Sequence, residues 1–454
     1  MKGKFMADVV AIFEPESVIL IGSSAIHEKI GMASPQLFRE VIHNMKRFFR
    51  GKTYVLDLYG KTKNNVLDKL LEIPQLAIVM LPPDQSIVLA EHCAKKGVKA
   101  LIMITGGYKD VQRQRLLELR DKYGVRILGP NTIMGVINTA NGLNTTFERN
   151  TMPKKGNIAV ISQSGGVGAC ILDWACFYDV GISKFAFMGD KIDVDDVDLL
   201  QYLRSDKDTR VICLYMEGIK NGREFIEQAR ETVKKKPIVA LKGGITQESA
   251  QRAKSHTASV AGSDEIFDAA FKKAGIIRVE NVEELMDAAI ALSKQPPMRG
   301  DNVAIVSNVG GPAILTADAV VRNDLKLATL SDKTRKKIES LYSGVDATNP
   351  IDMIADARAE RYQRILELVL ADKNVDGVVV INMLKSCFFE AKDAKVIPKV
   401  TAKHHNKPVV DVAAGGEDFA LVHKVLRKSN IPLYNLPEKA VKALKALRIY
   451  GKII

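Results

Sequence analysis

The chain is poor in cysteine. Its 454 residues include five, Cys93, Cys170, Cys176, Cys213 and Cys387, and no two form a Cys-x-x-Cys pair. An odd, scattered set argues against a disulfide framework or a zinc site and for a reducing cytoplasm. No run of about 18 apolar residues occurs, so no membrane span is expected. The opening Met1-Lys-Gly-Lys-Phe-Met-Ala-Asp8 is not followed by a signal-like apolar stretch with a small-residue cleavage site. Aromatic residues make up only 6%, and no nucleic-acid-binding motif is present, so nucleic acid is not the expected partner despite a net charge of +13. That charge better suits small polyanions such as phosphates or coenzyme A, or an acidic partner, besides aiding solubility. The fingerprint Gly-x-Gly-x-x-Gly is also missing. This disfavours an NAD-dependent oxidoreductase, although Asp57 stands at the end of a candidate second strand.

The chain does have apolar runs alternating with helical patterns. With 46% hydrophobic residues it can bury a core in each of about three domains of roughly 150 residues. The first 150 residues carry strand candidates at Val18–Gly22, Thr53–Asp57, Leu76–Leu81, Lys99–Ile104 and Arg126–Leu128. Their continuous hydrophobicity predicts a parallel sheet covered on both faces. Asn150–Gly156 and Gln295–Asp301 read as linkers, giving expected domains 1–150, 151–296 and 297–454. Near the C-terminus Lys439, Lys442, Lys445 and Arg448 recur every three residues, the pattern of a solvated helix face.

One element occurs twice. Asn157-Ile-Ala-Val-Ile-Ser-Gln-Ser-Gly-Gly-Val-Gly168 returns, 145 residues on, as Asn302-Val-Ala-Ile-Val-Ser-Asn-Val-Gly-Gly-Pro-Ala313, with five of twelve positions identical. Each copy predicts a buried strand, a tight glycine turn and a helix start. The exposed N–H groups and positive dipole end of a helix start suit an anion. The second copy places Pro312 in the first helical turn, where its missing N–H costs nothing. The shared opening implies that the second and third domains have one fold. Alone, either turn could be ordinary close packing.

Between the copies lies His256, in Lys254-Ser-His-Thr-Ala-Ser-Val-Ala-Gly262. Of the seven histidines, His27, His43, His92 and His423 read as structural, and His404 and His405 as exposed. A lone histidine is more often structural, but two anion-suited turns around His256 suggest phosphate chemistry on imidazole. Glu217, in Leu214-Tyr-Met-Glu-Gly218, ends a predicted strand and could accept an imidazole N–H, leaving the other nitrogen as nucleophile. Otherwise it is an ordinary strand-end acid. In the first domain, Gly22-Ser-Ser-Ala-Ile-His-Glu-Lys-Ile-Gly31, Leu81-Pro-Pro83, Thr105-Gly-Gly107 and Gly129-Pro-Asn131 each follow a predicted strand. Open α/β sheets bind ligands there, so four such loops suggest a long ligand lying across the edge.

These residues together resemble the alpha subunits of the ADP-forming (NDP-forming) acetyl-CoA synthetases, relatives of succinyl-CoA synthetase. The resemblance runs over nearly the whole chain. It is carried by Ile161–Gly166, Gly189-Asp-Lys-Ile-Asp-Val-Asp195, Leu214–Gly218, Ser255-His-Thr257 with Ala261-Gly-Ser-Asp264, and Asn308–Pro312. It implies an α/β chain with a Rossmann-like coenzyme A-binding domain followed by two flavodoxin-like, succinyl-CoA synthetase-like domains. It further implies that His256 becomes phosphorylated and that Glu217 orients it. Ser162, Gln163, Ser164, Gly165, Gly166, Asn308, Gly310 and Gly311 would hold phosphate. Gly22, Ser23, Ser24, Lys29, Pro82, Pro83, Thr105, Gly106 and Asn131 would bind coenzyme A. No metal site is implied on this chain. ADP or ATP with magnesium would sit on a separate ATP-grasp beta subunit, of which this chain has no pattern, in an α2β2 assembly. The implied reaction converts acyl-CoA, ADP and phosphate to an organic acid, ATP and coenzyme A. The chain departs from the family pattern at Ala258 and Ala313, where glycine is frequent, and in Tyr54–Gly60, which lacks an Asn-Pro pair. A non-catalytic coenzyme A-binding or acyl-sensing protein is the alternative. It would need the first-domain loops but not His256, Glu217 and both glycine turns.

Overall fold

The computed structural model describes residues 9–24, 34–58, 70, 72–246, 248–249, 263–386 and 388–454. Ser17–Gly22 (β1), Lys52–Asp57 (β2), Leu76–Val79 (β3), Ala100–Met103 (β4) and Arg126–Leu128 (β5) form a parallel sheet in the order β2-β1-β3-β4-β5. Every residue of β1, β3, β4 and β5 is buried, as continuous apolar strands between two helical layers require. The helix Pro35–Phe48 starts where the Ser34 side chain accepts the Gln36 N–H and proline fills the first turn.

A second sheet begins before the expected linker. Val136–Asn138 (β6) and Leu143–Asn144 (β7) form an antiparallel hairpin whose β6 pairs with Ile182–Phe187 (β9). Lys155–Ser162 (β8), β9, Val211–Met216 (β10), Ile238–Lys242 (β11) and Ile277–Val279 (β12) complete the order β12-β11-β10-β8-β9-β6-β7. Lys155 and Gly156, read as linker from sequence, already belong to β8. The hairpin escapes a sequence reading because its strands are three and two residues long, too short to show alternation. Buried hydroxyls hold it: Thr145 Oγ1 accepts the Val136 N–H at 2.7 Å, and Thr139 donates to the Ile182 carbonyl at 2.7 Å.

The chain divides into two compact units at Arg278/Val279. In the second, Asn302–Ser307 (β13), Lys326–Leu327 (β14), Ile351–Asp352 (β15), Gly377–Asn382 (β16), Val409–Ala413 (β17) and Leu433–Tyr434 (β18) are all parallel, in the order β14-β13-β16-β17-β18 with β15 also on β13. Its core is aliphatic, around Tyr362 and Phe389, whose rings meet at a tilt of 42°. The helix Val282–Lys294 packs against the last helix, Pro437–Ile453. The basic stripe of that last helix is not merely solvated, as its spacing suggested. Lys439 and Lys442 pair with Glu283 and Glu284, Lys445 with Asp324 at 3.1 Å, and Arg448 with Asp301 at 2.6 Å. The acids come from distant sequence, so periodicity alone could not reveal them.

All three sheets share one winding. In each, the first parallel strand is flanked on both sides by strands that follow it: β1 by β2 and β3, β8 by β9 and β10, and β13 by β14 and β16, with β15 also on β13. The switch point therefore falls at the C-terminal end of β1, β8 and β13. In such sheets that is where ligands meet the backbone.

Candidate active site

At the end of β8, Ser162 turns the chain. Its hydroxyl donates to the Ser164 carbonyl at 2.6 Å and accepts the Ser164 N–H at 3.2 Å. Ser164 then caps the helix Gly165–Phe177, accepting the Val167 N–H at 3.4 Å. At the end of β13 the same device recurs. Ser307 donates to the Val309 carbonyl at 2.7 Å and accepts the Val309 N–H at 3.1 Å, before the helix Gly310–Arg322. The repeat seen in sequence is thus a repeat of hydrogen bonds.

The glycines in these turns are not demanded by the fold. Among the described residues, a Cβ on Gly165 would meet only ordinary contacts at 3.5 Å, one on Gly310 a single atom at 3.8 Å, and those on Gly166 and Gly311 nothing within 4 Å. The missing side chains leave room in front of first-turn N–H groups that have no partner within the helix. An anion can approach the backbone there.

Several of the residues implied by resemblance are buried supports. Ser162, Gln163 and Asn308 are all buried. The Gln163 Oε1 accepts the N–H groups of Glu217 at 2.7 Å and Gly218 at 3.0 Å. In the second unit Asn308 Oδ1 accepts the Met383 N–H at 3.0 Å. Each amide clamps the residue that follows the strand beside its own, β10 next to β8 and β16 next to β13. That residue is an acid in one unit and Met383 in the other, so the two halves differ chemically at this one clamped position.

Glu217 follows β10. Tyr215 donates to its Oε1 at 3.2 Å. Burial, and next the charge of Glu217, push the Tyr215 phenol up to about 12, so it stays a donor at neutral pH. Gly243 admits this ring, since a Cβ there would lie 2.3 Å from the Tyr215 oxygen. The other carboxylate oxygen, Oε2, is buried and has no hydrogen-bond partner among the described residues. His256 lies outside those residues.

A segment after β9 joins the site to the first sheet. The N–H groups of Asp190, Ile192 and Val194 donate to the carbonyls of Pro130, Gly129 and Ile127 at 2.8, 3.1 and 3.1 Å. Asp190 pairs with Arg113 at 2.9 Å, and Asp193 pairs with Arg126 at 2.9 Å. Part of this segment carries the family resemblance, but nothing in its spacing marks Lys191 and Asp196 as a buried lysine and acid that pair, or singles out Tyr215. The signal available was the acid-rich run Asp190–Asp198 soon after the strand β9.

The first-domain loops also meet on one edge. The Ser24 N–H donates to Asp57 Oδ1 at 2.9 Å, so this acid supports the loop after β1. Gly22 lies against Phe38, Ser23 is buried, and Lys29 lies outside the described residues. Pro82 caps the helix that begins at Pro83. Thr105 is 1% exposed and donates to the Leu81 carbonyl at 2.7 Å, as does Ser86. Asn131 donates its N–H to the Thr105 carbonyl at 2.9 Å and lies against Gly106. The loops after β3, β4 and β5 are therefore tied into one rim. Among the described residues no group of three or more His, Cys, Asp or Glu could hold a metal, and no helix is long and apolar enough to cross a membrane.

Residues 155–292 match the succinyl-CoA ligase-like flavodoxin domain, and residues 303–450 match the ligase-CoA domain. The alpha subunit of the ADP-forming acetate–CoA ligase II of Pyrococcus furiosus is 38% identical over 450 residues, 96% of each chain. The ADP-forming acetate–CoA ligase of Methanocaldococcus jannaschii is 38% identical over 96% of this chain but only 62% of its own length. The dinucleotide-forming acetyl-coenzyme A synthetase 1 of Ca. Korarchaeum cryptofilum, solved with phosphate and ADP, superposes with a TM-score of 0.87 at 30% identity, covering 98% of this chain and 97% of that one. The chain therefore belongs to the family of the ADP-forming acetate–CoA ligases, matching its separate alpha subunits over nearly their whole length.

Proposed function

We propose that the chain is the alpha subunit of an ADP-forming acyl-CoA synthetase, catalysing acyl-CoA + ADP + phosphate ⇌ organic acid + ATP + coenzyme A. Phosphate attacks the thioester carbonyl, giving an acyl phosphate and the free thiol. His256 takes the phosphoryl group, releasing the carboxylate, and passes it to ADP. The transferred group carries spread negative charge throughout, and helix starts supply fixed donors for it. Gly165 and Gly166 in one unit, and Gly310 and Gly311 in the other, offer such donors. Ser162, Gln163, Ser164 and Asn308 shape the turns. The observation that carries the reading is Glu217: one oxygen is held by Tyr215, and the other is buried without a partner among the described residues. That second oxygen suits an imidazole N–H, which would fix the tautomer of His256.

Residues 1–150 would bind coenzyme A, through Gly22, Ser23, Ser24, Lys29, Pro82, Pro83, Gly106 and Asn131 on a rim tied by Thr105. Residues 151–296 would carry the phosphohistidine and 297–454 a second phosphate-suited turn. ADP and its magnesium would lie on an ATP-grasp beta subunit, in an α2β2 assembly in the cytoplasm. The archaeal ligase of which this chain covers 62% has length left over for such a module.

The test is reconstitution. Purified with an ATP-grasp subunit, the chain should make ATP from acetyl-CoA, ADP and phosphate and take an acid-labile label from radioactive ATP. His256→Asn should abolish both while coenzyme A binding persists. ATP made by the isolated chain would refute the two-subunit reading. Coenzyme A binding without any labelling would favour the acyl-sensing alternative.

A further inference from the structure

After β9 the backbone enters a costly conformation. Lys191 has φ of +52°, in the left-handed region, where a side-chain-bearing residue is strained. This places its ammonium in a closed polar ring. The Lys191 Nζ donates to Asp196 Oδ2 at 2.9 Å and to the Gly218 carbonyl at 3.0 Å. The two side chains are only 5% and 4% exposed. Asp196 Oδ1 accepts from Gln163 Nε2 at 2.8 Å, and that nitrogen also donates to the Gly218 carbonyl at 3.0 Å. The Lys220 ammonium in turn holds the Lys191 carbonyl.

A buried ion pair is weak evidence for stability, because desolvation offsets its attraction. Its surer effect here is orientation. A carboxylate only accepts, so Asp196 fixes which end of the Gln163 amide is nitrogen. The oxygen end must then face the N–H groups of Glu217 and Gly218. The second unit supplies an internal comparison. There Asn308 performs the same clamp on Met383, with its nitrogen directed to the Met383 carbonyl at 3.1 Å and to Ser386 at 3.4 Å. A lysine–aspartate pair also lies beside that clamp, Lys385 with the buried Asp418 at 3.4 Å, but there the aspartate accepts the Leu384 N–H at 3.1 Å, whereas Asn308 directs its nitrogen to Met383 and Ser386. The aspartate that accepts directly from the clamping amide stands where the clamped residue is an acid.

We propose that Lys191 and Asp196 are positioning residues for Glu217, acting through the orientation of Gln163. This rests on the reading that Glu217 orients His256. Neither residue makes a hydrogen bond to the Glu217 carboxylate; they set the backbone from which it projects.

The experiment uses the complex with the ATP-grasp subunit. Asp196→Asn removes the charge at constant shape. Lys191→Met combined with Asp196→Asn removes the pair without leaving a buried charge, which guards against simple unfolding. Both should slow labelling of His256 by radioactive ATP about ten-fold or more, with KM for coenzyme A changed less than about two-fold. Lys191→Arg should recover part of the rate. In the Glu217→Gln background the paired substitution should cost little further, because residues acting through one group are non-additive. Amide hydrogen exchange at Glu217 and Gly218 should quicken in both variants. Equal losses in the presence and absence of Glu217 would overturn the proposal. If the unaltered complex is never labelled, the functional reading fails, yet the exchange measurement still decides: unchanged exchange at Glu217 and Gly218 overturns the positioning role.

Discussion

Gln163 and Glu217, 54 residues apart in sequence, are fixed to each other by a side-chain oxygen accepting a backbone N–H at 2.7 Å. The turn suited to phosphate and the acid suited to imidazole are thereby one rigid piece. Glu217→Gln keeps the shape and removes the charge. We expect phosphorylation of His256 to slow by about 10²–10⁴-fold, the range typical of a lost acid–base partner, with little change in melting temperature. Rapid-quench labelling beside a thermal melt checks this, and an unchanged rate would reduce Glu217 to a strand-end acid.

The glycines should separate into two kinds. Gly189 has φ of +59°, and a Cβ there would fall 2.1 Å from the Pro130 carbonyl oxygen. Gly189→Ala should destabilise the chain by at least about 1–3 kcal/mol in urea unfolding.

Gly166 is the opposite case, with no described residue within 4 Å of where a Cβ would be. Gly166→Ala should leave stability equal or raise it by up to about 1 kcal/mol, since alanine suits a helix better. Phosphate KM should nevertheless rise, because the methyl group fills the approach to the helix start. A variant with unchanged phosphate KM would mean that the open space serves no ligand.

Much of this arrangement is legible in the sequence, and the limits have physical causes. The paired motifs at 157–168 and 302–313 announce equal turns, because a buried strand followed by glycine and a helix permits few geometries. Glu217 is visible as an acid ending an apolar strand. The buried supports are not visible: Thr105 and Asn308 look like ligand residues, but their polar atoms meet partners 24 and 75 residues away in sequence. The basic stripe from Lys439 to Arg448 looks solvated for the same reason. Pairing over long sequence separation leaves no local period to read.

A pH effect should come from the second unit. Asp411 is fully buried, with Asn382 donating to its Oδ1 at 2.6 Å and its Oδ2 lacking a hydrogen-bond partner among the described residues. Burial pushes this carboxyl up to about 7. An unfolded aspartate titrates near 3.9, so between about pH 4 and 7 the folded state binds more protons than the unfolded one. Stability then falls as pH rises through that window and levels off above it. Asp411→Asn removes the ionisation. Its melting temperature relative to the unaltered chain should climb from pH 4 to 7 and hold constant beyond. Parallel curves for the two proteins would show that Asp411 does not titrate there.

The hairpin of β6 and β7 bears on how the chain can be dissected. It is encoded ahead of the stretch that looks like a boundary, yet its hydrogen bonds complete the sheet that follows. A fragment begun at residue 151 would bare the backbone of β9 along one side, leaving a raw edge open to pairing with other molecules. A fragment begun ahead of Val136 would carry its own cover. The useful cutting point therefore lies inside the apparent first module, between β5 and β6, where the strands of the first sheet end and those of the second begin.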